Sequence, residues 1–266
     1  MVALYQYFGY DLPRKERFAM IRAAGFDALG VWCDDWFGWS NHREFPKLAR
    51  EAGLQVVDGH APFARDYDFV NSLWLDNLDG ETTFEIYLRT IDECGEDDIA
   101  NLIVHPYDLK TQAPPPNEVG LERIKRMLGR AEEHNVTLAF ENIRNDEYLE
   151  YIFKNASSPK LGFCYDAGHR NCFAPHLDFL EMYGDKLVAL HLQDNDGSGD
   201  QHLVPFEGKI DWAEQMAKIA ATGYAGPTTL ECTTGKPGSA EGGGMPPEEW
   251  LRNTFEVAKR LETLMK

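Results

Sequence analysis

Short apolar runs alternate with stretches of helical periodicity along the whole chain. ALYQYFG (3–9) is the first run, and RKERFAMIRAAG (14–25) follows it with apolar positions three and four apart and Gly25 placed to end a helix. DALGVW (27–32) leads to a helix over 44–53, LQVVDGH (54–60) to one over 83–96, and NLIVHP (101–106) to one over 117–135. VTLAFEN (136–142) leads to a helix over 146–154, and KLGFCYD (160–166) to one near 176–182. KLVALHLQD (186–194) leads to 210–223, with Asp211 as N-cap, and GPTTLEC (226–232) to a closing helix over 246–265. Strands this short and apolar are buried on both faces, as in a parallel sheet joined by helical crossovers. Eight such units predict an α/β fold closed into a (β/α)8 barrel, one domain over residues 1–266. An open doubly wound sheet is the alternative, but it gathers its ligand at one switch point and uses fewer strand ends.

The polar residues that break the pattern fall at the strand ends. His60, His105, His169, His191 and His202 follow, or lie just beyond, a strand run, and so do Glu141, Asp166, Asp200 and Glu231. Chemistry after strands three to eight favours closure, which would gather these side chains in one cavity on the C-terminal rim. Three long connections, 33–41, 61–80 and 233–247, lie on the same rim. Trp36, Phe63 and Trp74 in the first two could pack on the apolar face of a bound substrate or equally anchor their loops.

Charge narrows the partners. With 44 acidic and 26 basic residues the formal net charge is −18, a field that repels polyanions, so nucleic acid is not an expected partner. No apolar run is long enough to cross a bilayer, and the N-terminal stretch lacks the charge and apolar pattern of a secretory signal. A cytoplasmic location is expected. Cys33, Cys94, Cys164, Cys172 and Cys232 are odd in number and form no CxxC pair, which suits reduced thiols, with Cys164 and Cys232 in the core.

Glu141, Asp166, His191 and Glu231 close four consecutive strands. Any one alone would read as a surface charge or a helix N-terminal acid. Crowded at one barrel mouth they would repel or stay desolvated unless a cation held them together. Two Glu, one Asp and one His suit a hard or borderline divalent ion, Mn²⁺, Mg²⁺, Co²⁺ or Zn²⁺.

The segments LAFENI, YDAGH, HLQDN, VPFEGKIDW and TTLEC, spread over nearly the whole chain, resemble the xylose isomerase-like TIM barrels. Within them the chain is similar to the sugar phosphate isomerase/epimerase group, which includes ketose 3-epimerases, hydroxypyruvate isomerase and inosose dehydratase and is related to endonuclease IV. The resemblance implies a single-domain (β/α)8 TIM barrel with Glu141, Asp166, His191 and Glu231 as shared metal ligands. It also implies that Glu141 and Glu231 move protons at the carbon next to a carbonyl. The set His60, His105, His169, Asp200 and His202 goes beyond the plain epimerase pattern and matches, in type and order, the further ligands with which endonuclease IV holds three zinc ions. Read without that likeness, His60 and His105 are as well explained as core histidines, and Asp200-Gln201-His202 as a turn.

Two functions follow. The first is a divalent-metal-dependent isomerase or epimerase of a small sugar, polyol ketone or sugar phosphate, acting through a metal-stabilised enediolate. Glu231 and Glu141 would serve opposite faces of the carbon, and His169 and His202 would orient hydroxyls or complete the metal shell. The second is a multinuclear metal-dependent phosphoester hydrolase. One divalent ion leaves the four carboxylates net negative, two neutralise them and three make the site cationic, so one to three ions are admissible. A sugar-binding barrel without catalysis is disfavoured, since binding alone needs no paired proton-transfer groups. Glycine-rich 197–199 and 235–244 offer backbone N–H groups to a phosphate, but only Lys209 and Lys236 stand near them, which favours an unphosphorylated substrate. Barrels of this kind often pair, so a homodimer is a possible assembly.

Overall fold

A computed structural model describes residues 1–35, 41–63, 68–108, 113–234 and 245–266. Among these residues eight parallel strands run in chain order around a barrel: β1 (Val2–Tyr5), β2 (Ala28–Trp32), β3 (Gln55–His60), β4 (Asn101–Val104), β5 (Thr137–Glu141), β6 (Leu161–Asp166), β7 (Leu187–His191) and β8 (Thr228–Leu230). β8 pairs with β1. β7 meets β8 just past its end, where the Leu192 N–H donates to Thr229 O at 3.0 Å and the Glu231 N–H to Leu192 O at 3.2 Å. The sheet is therefore a nearly closed barrel, not the open alternative.

Side chains alternate across a strand, and that period of two builds the site. Ile103, Ala139, Cys164 and Ala189 form a small apolar cluster of their own, fully buried inside the barrel. Two residues further along the same four strands, on the same face, stand His105, Glu141, Asp166 and His191. Asp58 and Thr229 lie the same step below His60 and Glu231. Small residues thus floor the barrel, and the chemistry forms the layer above.

Helices α1 (Arg14–Ala24), α2 (Phe45–Glu51), α3 (Phe69–Ser72), α4 (Leu78–Glu96), α5 (Glu118–His134), α6 (Glu147–Asn155), α7 (Ala167–Phe173), α8 (Phe179–Tyr183), α9 (Trp212–Ala221) and α10 (Pro247–Leu264) fill the connections. Gly25 ends α1 at φ 114, a left-handed conformation that favours glycine, and the Asp211 side chain accepts the Glu214 N–H at 3.0 Å to open α9, both as expected. α4 begins earlier than the expected 83 because Asn77 accepts the Gly80 N–H at 2.9 Å and caps a first turn that has little apolar periodicity. No helix among the described residues is long and apolar enough to cross a membrane. The five cysteines are free thiols, Cys164 and Cys232 fully buried.

The connection after β2 is tied to α4 by charge. His42 Nδ1 lies 2.9 Å from Asp35 Oδ1 and Nε2 3.0 Å from Glu93 Oε2. Partial burial opposes the imidazolium, but the two carboxylates outweigh it and lift His42 to about 9. A raised imidazole stabilises the fold fully below its unfolded value of about 6.5 and loses that contribution as pH passes its folded value. The melting temperature should therefore fall toward that of His42→Gln between about pH 7 and pH 10. A gap between the two proteins that stays constant over that range would show that His42 does not titrate there.

Candidate metal centre

Glu141 ends β5 with no solvent exposure and sits at the centre of a buried cluster. One donor atom each from Glu141, Asp166, His191 and Glu231 lies within 4.8 Å of the others. Coordination bonds of about 2–2.6 Å put ligands on opposite sides of an ion roughly 4–5 Å apart, so this set is already the size of a single-ion shell. Glu141 Oε2 and Asp166 Oδ2 are buried without a hydrogen bond, although His105 Nε2 approaches the former to 3.1 Å. A buried carboxylate oxygen without a donor is costly, and a cation satisfies it. The donor set therefore fits a divalent ion.

The imidazoles are turned in a telling way. His60 Nδ1 is 2.8 Å from Ala61 O, His169 Nδ1 3.0 Å from Asn142 O and His202 Nδ1 2.7 Å from Glu231 O. A carbonyl only accepts, so each Nδ1 carries a proton and each Nε2 is left for the cluster, the orientation that metal-ligating histidines show. His60 Nε2 then lies 3.7 Å from Glu141 Oε2, and His169 and His202 Nε2 lie 3.5 Å and 3.0 Å from Asp200 Oδ2. His191 is reversed: Nδ1 stands 3.1 Å from both Glu141 Oε1 and Glu231 Oε2, and Nε2 is 2.8 Å from Tyr5 Oη.

Electrostatics follow from this crowding. Burial works to raise Glu141 and Glu231, but His191 outweighs it, with His105 adding to the effect at Glu141, and both carboxyls are held low, Glu141 well below the usual range. Burial pushes Asp166 up to about 7 against the pull of His169. Burial opposes charge on His202 too, but Asp200 lifts it to about 10. Burial holds His105 down. All nine residues singled out from sequence thus meet at one rim.

The aromatic residues divide. Phe63 stands beside the site, its ring 4.8 Å from His60 and 4.9 Å from His105. Trp74 does not reach the cluster and is corrected to a loop anchor. It is 1% exposed, its indole N–H donates to Pro106 O at 2.8 Å, and Gly120 lies so close that a Cβ there would come within 2.2 Å of the ring. Trp36, Lys236 and the glycine-rich stretch 235–244 lie outside the described residues.

Sequence reasoning passed over several residues that build the site. Gln193, two beyond His191 and so on the same face, donates from Nε2 to Asp200 Oδ1, and Gly168 leaves it room, since a Cβ there would sit 2.1 Å from the amide. Asp194 anchors the connection that carries Asp200 and His202 through four hydrogen bonds. Tyr5, on β1, fixes His191 from behind, and the alternation on that strand could have shown its ring facing inward. Tyr5→Phe keeps the ring and removes the hydroxyl, so metal affinity should drop about 10- to 100-fold. Competition against a chromophoric chelator reads this, and an unchanged affinity would mean that His191 needs no support from Tyr5.

The fold is thus a (β/α)8 barrel whose upper layer is a buried carboxylate and imidazole cluster that could hold a metal ion. The chain belongs to the xylose isomerase-like TIM barrel family, whose model matches residues 18–261. Fructoselysine 3-epimerase of Shigella flexneri is 42% identical to it over 252 residues, 84% of this chain and 86% of that protein. An uncharacterised protein of Sinorhizobium fredii is 30% identical over 258 residues, 84% of this chain and 82% of that protein. The crystal structure of D-psicose 3-epimerase from Clostridium cellulolyticum superposes over the whole of both chains with a TM-score of 0.79 at 16% identity, a likeness of fold.

Proposed function

We propose that the protein is a divalent-metal-dependent epimerase of a small keto-sugar, acting at a carbon next to the carbonyl. The observation that carries this reading is the placement of Glu141 and Glu231, two buried carboxylates held low by His191 and 3.1 Å from the same imidazole nitrogen. The 3-epimerase named for the Shigella relative supports it. A divalent cation held by Glu141, Asp166, His191 and Glu231 would polarise a carbonyl and its neighbouring hydroxyl and acidify the C–H between them. Glu231 takes the proton from one face of that carbon and Glu141 returns one to the other. His169 and His202 orient hydroxyls, and Phe63 walls the apolar face of the sugar.

A ketose panel in D₂O tests this: deuterium should enter at the epimerised carbon, chelation should stop its entry, and restored Mn²⁺ or Co²⁺ should recover it. Exchange that survives verified removal of metal, or no exchange with any ketose, overturns the reading.

A second reading, a multinuclear phosphoester hydrolase resembling endonuclease IV, has its own observation. His60, Glu141 and His191 form another group with donor atoms within 4.8 Å, and His169 and His202 converge on Asp200. Elemental analysis separates the two: about one ion per chain supports the epimerase, two or three support hydrolysis.

A further inference from the structure

We propose that the substrate carries an anionic group, a carboxylate or a phosphate, remote from the epimerised carbon, and that Arg144 receives it. This rests on the epimerase reading and narrows its substrate class. Arg144 lies three residues beyond Glu141, in the connection from β5 to α6, and is exposed. Its guanidinium carbon stands 5.3 Å from the centre of the Phe173 ring. Phe173 is four residues on from His169 in α7, so the two share one helix face, and their rings are 5.7 Å apart. His169 reaches the cluster with both ring nitrogens, Nδ1 3.3 Å from Glu141 Oε1 beside its bond to Asn142 O, and Nε2 3.5 Å from Asp200 Oδ2. The guanidinium thus stands one helical turn and one aromatic ring out from the reacting layer, a gap that a ketose with a substituent on its far end can span.

The arm is held in place from both ends. The backbone N–H groups of Arg144 and Asn145 both donate to Tyr107 Oη, at 2.8 Å and 3.0 Å, and the Tyr107 ring stacks on Tyr148 at 4.4 Å. The guanidinium rests on an aromatic face, which leaves its N–H fork free for a planar anion. In a chain with 44 acidic residues, no carboxylate among the described residues pairs with it. The carboxylate layer below repels an anion, so an acidic group on the substrate is stable only at the far end, where Arg144 stands. Sequence reading weighed Lys209 and Lys236 as the nearby cations and missed Arg144, because its position at the rim depends on α7.

Arg144→Met keeps the apolar stem on Phe173 and removes the fork. With Mn²⁺-loaded enzyme, the kcat/KM ratio of fructose 6-phosphate to fructose, or of fructoselysine to fructose, should fall roughly 10- to 100-fold, with the loss in KM. Arg144→Lys should recover part of it. The anionic substrate with the larger loss identifies phosphate or carboxylate as the group. An unchanged ratio for both overturns the proposal. If the wild type exchanges no proton with any ketose, the epimerase reading fails separately, and calorimetry decides the role of Arg144. Fructose 6-phosphate or fructoselysine must then bind the wild type more tightly than fructose and lose that margin in Arg144→Met, and equal binding overturns it.

Discussion

Replacing Glu231 with glutamine should lower turnover by about 10²- to 10⁴-fold while the barrel stays folded. The carboxylate stands on the residue just past β8, is 6% exposed and lies 3.1 Å from His191 Nδ1. Burial favours its neutral form, but His191 outweighs that, so the group is ionised at neutral pH and ready to take a proton. Glutamine matches its shape and cannot accept that proton. It also removes one charge from a layer that holds Glu141 and Asp166, which relieves repulsion and offsets the lost contact to His191. On the proposed reading Glu231 would be a ligand as well as a base, and the two roles separate in measurement. Glu141, Asp166 and His191 remain to hold an ion at raised Mn²⁺ concentration. A variant loaded with metal yet unable to exchange the substrate C–H with D₂O assigns the base. A loaded variant within about tenfold of wild-type turnover removes Glu231 from proton transfer.

What was legible in the chain, and what was not, follows from the range of the interactions. Each apolar strand run is local, and the runs placed His60, His105, Glu141, Asp166, His191 and Glu231 at or just beyond the ends of successive strands before any fold was known; the face they share is set by the closed barrel. α7 escaped notice because AGHRNCF has no apolar periodicity; Asp166 starts it by accepting the His169 N–H at 2.6 Å. The sequence left both readings of Trp74 open because a rim aromatic looks the same whether it faces a ligand or a neighbouring helix. What decides is Gly120, 46 positions away, which leaves space for the indole. Phe63, in the same connection, does face the site. Gln193 lies within HLQDN, but only the folded connection after β7 brings it to Asp200, and only the closed barrel brings Tyr5 to His191.

Asp194→Ala should be the most destabilising of the substitutions considered, and its damage should spread to the Asp200–His202 arm. Asp194 is fully buried one residue beyond Gln193. Its Oδ1 accepts the backbone N–H groups of Asn195 at 2.9 Å and Ile210 at 3.2 Å, and its Oδ2 accepts the Phe206 N–H at 2.9 Å and the Trp212 indole N–H at 2.8 Å. One carboxylate thus closes a connection of some fifteen residues at both ends. Within it His202 and Phe206 hold φ of 50 and 76, unfavourable for side-chain-bearing residues, so the segment persists only if its surroundings impose it. Gly208 has to be glycine here, since a Cβ would lie 2.2 Å from Asp194 Oδ1. Alanine leaves four donors without an acceptor. Each stranded buried donor costs about 1–3 kcal/mol, reduced where the segment opens to water, so a loss of roughly 3–5 kcal/mol is expected. Against a usual domain stability of about 5–15 kcal/mol this is a large fraction. Asp194→Asn, with one oxygen and one amide nitrogen, can serve the donors on one side only and should fall between. Chemical denaturation measures the loss, and hydrogen exchange over 195–211 locates it. If Asp194→Ala unfolds within about 1 kcal/mol of the wild type, or if its added exchange lies outside that segment, the carboxylate does not hold the arm.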